Sequence, residues 1–200
     1  MAITAKNQVL KLVQKKGMVS VREVGARGFH PEHLRRLVAE GLLVRVTRGV
    51  YAPADAEPTV NHSLAQVAKK VPHGVICLLS ALRFHEIGTQ NPFEVWVAID
   101  RRARKPSVPG TTLRVVRFSG AARTAGIEHH QIEGVQVAVY SAAKTVADCF
   151  KYRNKIGLDV ALEALREGLR SRRFTRDDLW RYAKVCRVTG ILRPYLEMVS

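Results

Sequence analysis

The sequence of 200 residues carries 33 Lys and Arg against 17 Asp and Glu, which gives a formal net charge of +16, and 46% of its residues are hydrophobic. This excess of positive charge favours a polyanionic partner, most often nucleic acid, over a membrane surface. Three cysteines without a CxxC pair argue against a disulfide framework or a zinc knuckle, and no apolar run suits a membrane span or a signal peptide. We therefore expect a cytoplasmic protein.

Three short helices are predicted within the first 40 residues. The first runs from Thr4 to about Lys16 and ends at a glycine. The second begins after Ser20, because Ser20 and Glu23 have the spacing of a capping box. The third covers residues 31–40, with a proline at its first position. Its core-facing side chains are Leu34, Leu37 and Val38, and its solvent-facing side chains include His33, Arg35 and Arg36.

A basic β-hairpin follows the third helix directly, with two apolar runs between Leu42 and Tyr51 separated by the turn Arg48-Gly49. A basic helix followed by a basic hairpin is the order of parts in a winged helix-turn-helix, in which one helix enters the major groove of DNA and the wing lies along the phosphates. Residues 1–53 carry ten basic and three acidic side chains, which agrees with this reading. We therefore predict that residues 1–53 bind double-stranded DNA. The predicted contact residues are His33, Arg35, Arg36, Arg45 and Arg48.

A second domain is predicted over residues 59–200, after a proline-bounded linker at residues 54–58. It begins with helical segments at residues 61–71 and near Ser80. Runs of β-branched and aromatic residues then predict about four strands, at residues 93–99, 111–118, 127–132 and 135–139. Helices follow from Ser141 to about Phe150, over residues 158–169, from Thr175, and at the C-terminal end. Helices before and after a sheet indicate an α+β fold.

Three stretches of the sequence are informative as an ordered set. They are Thr47 to Tyr51 at the end of the hairpin, Ser80-Ala81-Leu82 with His85 and the strand Glu94 to Ala98, and Ser141 to Phe150. In this order they resemble the AbiEi antitoxins, which are the regulatory proteins of type IV toxin–antitoxin operons. The resemblance implies an N-terminal winged helix that represses its own operon and a C-terminal α/β antitoxin domain. It also implies a functional partner, a nucleotidyltransferase-like toxin encoded next door, which is opposed without a stable complex.

Residues that suggest catalysis have simpler interpretations. Ser141 and Lys144 have the spacing found in some acyl-transfer enzymes. Because Ser141 stands where a strand ends and a helix begins, we interpret it as an N-cap. Lys144 and Asp148 are spaced for an i, i+4 contact on a helix surface, and His129 and His130 alternate across a strand and do not suit one metal. We therefore predict no catalytic residue, no metal and no cofactor.

A second basic cluster follows the first predicted strand of the C-terminal domain, and it consists of the loop at residues 101–106 with Arg114, Arg117 and Arg123 downstream. It is either a solvated loop or a second surface for a polyanion, which could be DNA or RNA. The candidate antitoxin surface consists of Arg101, Arg102, Arg104, Lys105, Lys144 and Asp148. Two other functions stay open at this point. The protein could be an enzyme whose winged helix delivers a C-terminal catalytic domain to nucleic acid, or a one-component regulator that senses a ligand.

Overall fold

The computed structural model describes residues 4–199, and these residues fold into two compact units. The first unit comprises the described residues up to 72 together with residues 106–111 and 130–137, and the second unit comprises the remainder. The chain is α+β, as predicted, because a mainly helical N-terminal region is followed by a domain that contains a five-stranded sheet. Within residues 4–199, no helix is long and apolar enough to span a membrane.

The first unit contains four helices and a small antiparallel sheet. Its elements are α1 (Ala5–Lys16), β1 (Val19–Ser20), α2 (Val21–Gly25), α3 (Glu32–Ala39), β2 (Leu43–Thr47), β3 (Val50–Pro53) and α4 (His62–Lys70). The predicted caps are present, since Thr4 caps α1 and Ser20 forms a capping box with Glu23 at α2. The sheet order β1-β3-β2 adds a third strand to the predicted hairpin, and this strand is too short to be recognised from a sequence pattern.

Most of a five-stranded sheet and the helices around it belong to the second unit, whereas residues 130–137, at the turn between the last two strands of the chain, belong to the first unit. The strands are β4 (Val75–Ile76), β5 (Val95–Asp100), β6 (Leu113–Phe118), β7 (Ile127–Ile132) and β8 (Val135–Tyr140), in the order β6-β5-β4-β8-β7. The helices are α5 (Leu78–Phe84), α6 (Ala121–Thr124), α7 (Ala142–Ile156), α8 (Leu158–Arg170), α9 (Arg176–Cys186) and α10 (Thr189–Met198). The sheet has one strand more than the four predicted, because the two residues of β4 are too few to show an alternation.

Helix α7 is buried on every side over its first nine residues, Ala142 to Phe150. This corrects the prediction that Lys144 and Asp148 lie on a surface, because both side chains are fully buried. Lys144 Nζ lies 2.5 Å from Asp148 Oδ2 and 4.2 Å from the centre of the Tyr140 ring, and Cys186 Sγ donates to Asp148 Oδ1 at 3.1 Å. Burial raises the pKa of Asp148, and it raises the pKa of Cys186 to about 12. The pair therefore belongs to the core of the second unit.

The turn between β7 and β8 lies in the first unit and comes very close to the end of α1. Glu133 and Gly134 have positive φ angles of 48° and 73°, as a two-residue hairpin turn requires. A Cβ atom on Gly134 would overlap the carbonyl oxygen of Lys16, and a Cβ atom on Gly17 would overlap the carbonyl oxygen of Glu133. The two glycines therefore allow the two backbones to come into direct contact.

The contact at Gly134 can be tested with two Gly→Ala substitutions in the same unit. Gly110 has a φ angle of 79°, close to that of Gly134, but a Cβ atom there would meet nothing within 4 Å. Gly110→Ala should lower the free energy of unfolding by about 1 kcal/mol through backbone strain alone. Gly134→Ala should lower it by at least about 3 kcal/mol, because the backbone of α1 or of the turn must also move. Urea denaturation measures both, and equal losses would contradict the close approach.

The buried position of Lys144 can be tested against an exposed lysine of the same helix. Lys144→Met keeps most of the side-chain volume but leaves Asp148 buried without its partner, so we expect a loss of about 3–5 kcal/mol in the free energy of unfolding. Lys151 is exposed on α7, and Lys151→Met should change the free energy by less than about 0.5 kcal/mol. Urea denaturation of the full chain is again the measurement. Equal changes in the free energy of unfolding for the two variants would contradict the burial of Lys144.

Candidate nucleic-acid interface

Helix α3 buries one face and exposes the other. Leu34 and Leu37 are fully buried in the core of the first unit, so the residues between them turn outward. The Arg35 side chain is 79% exposed and lies 3.6 Å from a carboxylate oxygen of Glu32. Arg36 is exposed and forms no ion pair among the described residues. The structure therefore places both predicted arginines on the open face of α3.

His33, the third predicted contact on α3, is less open than the two arginines. Its side chain is half-buried, and its Nδ1 atom is buried without a hydrogen-bond partner among residues 4–199. Only the Nε2 atom of the ring is therefore left to reach a molecule bound on this face of the helix.

The hairpin β2–β3, called the wing below, has a fixed backbone and exposed charged side chains at and near its turn. Gly49 has a φ angle of 74°, and its carbonyl oxygen accepts a hydrogen bond from Val21 N at 3.0 Å. Lys70 Nζ donates to the carbonyl oxygen of Arg48. The side chains of Arg48 and Arg45 are exposed and form no ion pair within residues 4–199. An ordered hairpin therefore carries two free guanidinium groups.

The predicted DNA contacts come from two neighbouring elements. Helix α3 packs against β2, and Leu37 and Leu43 share the core of the first unit. A helix with exposed arginines beside a hairpin with exposed arginines is a suitable surface for a polyanion.

The second basic cluster, Arg101 to Lys105, forms a loop whose backbone is held by its neighbours. Asp100 Oδ1 accepts a hydrogen bond from the backbone N–H of Arg102 at 2.9 Å. Arg117 Nη1 donates to the carbonyl oxygens of Asp100, Arg101 and Ala103 at 3.3, 2.9 and 2.7 Å. The exposed cations of this loop are Arg101, Arg102, Arg104 and Lys105, and their side chains have no ion pair among the described residues. The loop thus presents four cations from an ordered backbone.

The arginines that follow this loop in sequence have other partners. Arg114 Nε lies 2.8 Å from a carboxylate oxygen of Glu94, and its guanidinium lies 5.4 Å from the centre of the Trp96 ring. Arg123 Nε lies 3.8 Å from Asp100 Oδ2. Arg117 was visible in the sequence only as another positive charge, since its carbonyl partners lie 14 to 17 residues earlier in the chain.

The side chains considered for catalysis are engaged elsewhere. Ser141 caps α7, as predicted, because its Oγ accepts from the backbone N–H of Lys144 at 3.4 Å. Lys144 Nζ is paired with Asp148, so it is not turned toward the serine hydroxyl as a base. His85, which belongs to the second stretch of the family resemblance, has its Nε2 atom 2.7 Å from the carbonyl oxygen of Tyr140. Among residues 4–199 there is no group of three His, Cys, Asp or Glu side chains that could hold a metal ion.

Comparisons with known proteins agree with the N-terminal resemblance. Residues 7–54 match a protein family described as "Transcriptional regulator, AbiEi antitoxin", so the predicted resemblance is confirmed for this segment. The crystal structure of the RV2827C protein from Mycobacterium tuberculosis is similar with a TM-score of 0.55 and 16% sequence identity, over 92% of this chain and 72% of that chain. A comparison with curated proteins gives no match. The N-terminal segment thus matches a family of antitoxin transcriptional regulators, and the fold of nearly the whole chain recurs in a solved structure.

Proposed function

We propose that this protein is a cytoplasmic, sequence-specific DNA-binding repressor that autoregulates its own operon and also acts as an antitoxin. The observation that carries the proposal is the exposed arginine surface of α3 and the wing, which lies within the segment that matches the antitoxin regulator family. An antitoxin regulator must recognise its own promoter, and a basic helix beside a basic hairpin is the surface of a winged helix-turn-helix.

The proposed DNA contacts divide into two kinds. Helix α3 enters the major groove, where Arg35 and Arg36 donate to base edges or groove phosphates and His33 Nε2 makes a further contact. Arg45 and Arg48 hold the phosphate backbone, which positions the wing without reading sequence. We propose that all of these contacts lie within residues 1–53 and that residues 54–58 are a linker. The antitoxin role is proposed for residues 59–200.

The antitoxin role is proposed for the loop Arg101 to Lys105. Its four exposed cations stand on a backbone held by Arg117 and Asp100, so little further ordering is needed when a polyanion binds. The toxin we propose is a nucleotidyltransferase-like protein encoded next to this one. A basic loop favours binding of a nucleic acid over binding of the toxin itself, which is consistent with opposition to the toxin without a stable complex.

DNA recognition is tested with the full chain and labelled duplexes from the region upstream of its gene. Arg35→Ala with Arg36→Ala should weaken specific binding by at least about tenfold, since each lost base contact costs about 1–3 kcal/mol. Arg45→Ala with Arg48→Ala should weaken binding to every duplex and reduce the slope of log K against log salt by about 2. Fluorescence anisotropy between about 50 and 200 mM salt measures both effects.

The matched control for these variants is Lys11→Ala with Lys15→Ala, which removes two exposed charges from α1. This control should leave the preference for the upstream duplex unchanged. Wild-type affinity in the α3 variant would show that α3 is not the recognition helix, and an affinity that does not vary with salt would show that the positive charge faces away from DNA.

The antitoxin role is tested by growth of cells that express the neighbouring toxin from a separate inducible promoter. A chain in which Arg101, Arg102, Arg104 and Lys105 are all changed to Gln should lose protection while it still binds the upstream duplex. The control changes four exposed cations elsewhere in the second unit to Gln, namely Arg166, Arg170, Arg172 and Lys184. If the loop variant and the control variant protect cells equally well, the loop is not part of the antitoxin surface.

A further inference from the structure

Helix α4 lies outside the segment that matches the regulator family, yet its last turn contacts elements inside that segment. Lys69 Nζ lies 2.9 and 2.8 Å from the two carboxylate oxygens of Glu23 in α2. The Lys69 side chain is only 11% exposed, so the pair is largely shielded from water. A bidentate contact of this kind fixes the position of the carboxylate more closely than a solvent-exposed ion pair does.

Glu23 lies in the first turn of α2, where it is also part of the capping box with Ser20. Its carboxylate accepts hydrogen bonds from the backbone N–H and the hydroxyl of Ser20 at 2.8 and 2.9 Å. Burial alone would raise the pKa of Glu23, but the hydrogen bonds from Lys69 and Ser20 outweigh it and lower the pKa to about 2. The carboxylate is therefore ionised at neutral pH and holds α2 and α4 together.

The same turn of α4 also reaches the wing. Lys70 Nζ donates to the carbonyl oxygen of Arg48, and the first residue of α2, Val21, donates its N–H to the carbonyl oxygen of Gly49. The wing turn, the start of α2 and the end of α4 are thus connected through two lysines and one glutamate.

The beginning of α4 is anchored as well. Glu133 Oε1 accepts from the backbone N–H and the hydroxyl of Thr59 at 2.7 and 2.9 Å, and Glu133 Oε2 lies 2.6 Å from His62 Nδ1. Burial alone would raise the pKa of Glu133, but these hydrogen bonds lower it below its usual value. Helix α4 thus has contacts at both ends, with Glu133 at its beginning and with Glu23 and the wing turn at its end.

We propose that Lys69 is a positioning residue for DNA binding, which sets α2 and the adjoining helix α3 relative to the wing without touching DNA itself. The inference rests on the proposed DNA-binding function. Lys69 Nζ is within hydrogen-bond distance of both carboxylate oxygens of Glu23, so its charge is already paired within the protein. Base readout requires side chains held within about 0.5 Å of their binding geometry. Val24 of α2 shares the core of the first unit with Leu34 and Leu37 of α3, so a displaced α2 would disturb the packing that positions α3.

The experiment compares Lys69→Met and Lys69→Arg in the full chain, with the upstream duplex and an unrelated duplex as probes. Lys69→Met should weaken specific binding about tenfold, comparable to the loss of one base contact, while the slope of log K against log salt stays at the wild-type value. Lys69→Arg keeps the bond to Glu23 and should restore binding. Lys15→Met, which removes an exposed lysine of α1, is the control for charge and should bind as wild type does.

Glu23→Gln completes the test, because a glutamine keeps the capping box but removes the charge that Lys69 contacts. Glu23→Gln should weaken binding to the same degree as Lys69→Met, and the double variant should be no weaker than either single one. Stoichiometric titration with DNA measures the fraction of each variant that can bind, and the dissociation constant is calculated from that fraction, so unfolded protein does not affect it. A lower salt slope in Lys69→Met, or equal loss on both duplexes, would make Lys69 a phosphate contact and overturn the proposal.

The remaining outcomes separate this proposal from the function on which it rests. If the wild-type chain shows no preference for the upstream duplex, the DNA-binding function fails and the positioning role fails with it. If the wild type is specific but Lys69→Met binds as tightly as the wild type, only the positioning role fails.

Discussion

The first unit depends on the close approach between the end of α1 and the turn Glu133-Gly134, which two glycines make possible. The same turn supplies the carboxylate that holds the start of α4, and the end of α4 holds Glu23 and the backbone of the wing turn. A continuous series of contacts thus connects the Glu133-Gly134 turn, through α4, to α2 and the wing, which belong to the segment that we propose binds DNA. Most of these partners lie outside residues 7–54, so they add to the contacts that hold the wing within the segment that matches the regulator family, such as the pairing of β1 with β3.

The second unit has a different constraint, the fully buried pair of Lys144 and Asp148. Transfer of both charges from water is unfavourable, and their mutual attraction offsets this cost only in a good geometry with further partners. Tyr140 supplies a ring face 4.2 Å from the ammonium, and Cys186 supplies a hydrogen bond to the carboxylate. A rotation of α7 would place an unpaired charge among apolar side chains, so the pair restricts this helix to one orientation. The basic loop at residues 101–105 belongs to the same unit and needs no residue of this pair to present its charge.

Local signals made much of this fold predictable. The capping box at Ser20 and Glu23, the N-cap at Ser141 and the amphipathic pattern of α3 each act within a few residues, and the structure contains all three. Strands β1 and β4 were not predicted, because two residues are too few to show a pattern of their own. They form because β1 pairs with β3 and β4 pairs with β5 and β8. The i, i+4 spacing of Lys144 and Asp148 suggested a surface pair, although a helix start that is otherwise almost wholly apolar indicates burial. The contact between Lys69 and Glu23 spans 46 residues, and no sequence pattern predicts it.

The net charge of +16 predicts a polyanionic partner but does not locate the surface that binds it. Many of the positive side chains already make contacts within the chain, in which they pair with a carboxylate or donate to backbone carbonyl oxygens. Examples are Lys6 with Glu40, Lys69 with Glu23, Arg114 with Glu94, Arg117 with three carbonyl oxygens, Lys144 with Asp148 and Arg173 with Glu86. A phosphate chain gains most from cations that have no carboxylate partner in the folded protein, because only these release its counterions without breaking an existing contact. Among the described residues, Arg36 of α3, Arg45 and Arg48 of the wing and the cations of residues 101–105 meet this condition, whereas the Arg35 side chain lies 3.6 Å from a carboxylate oxygen of Glu32. This unpaired charge, more than the total, supports the two proposed binding surfaces.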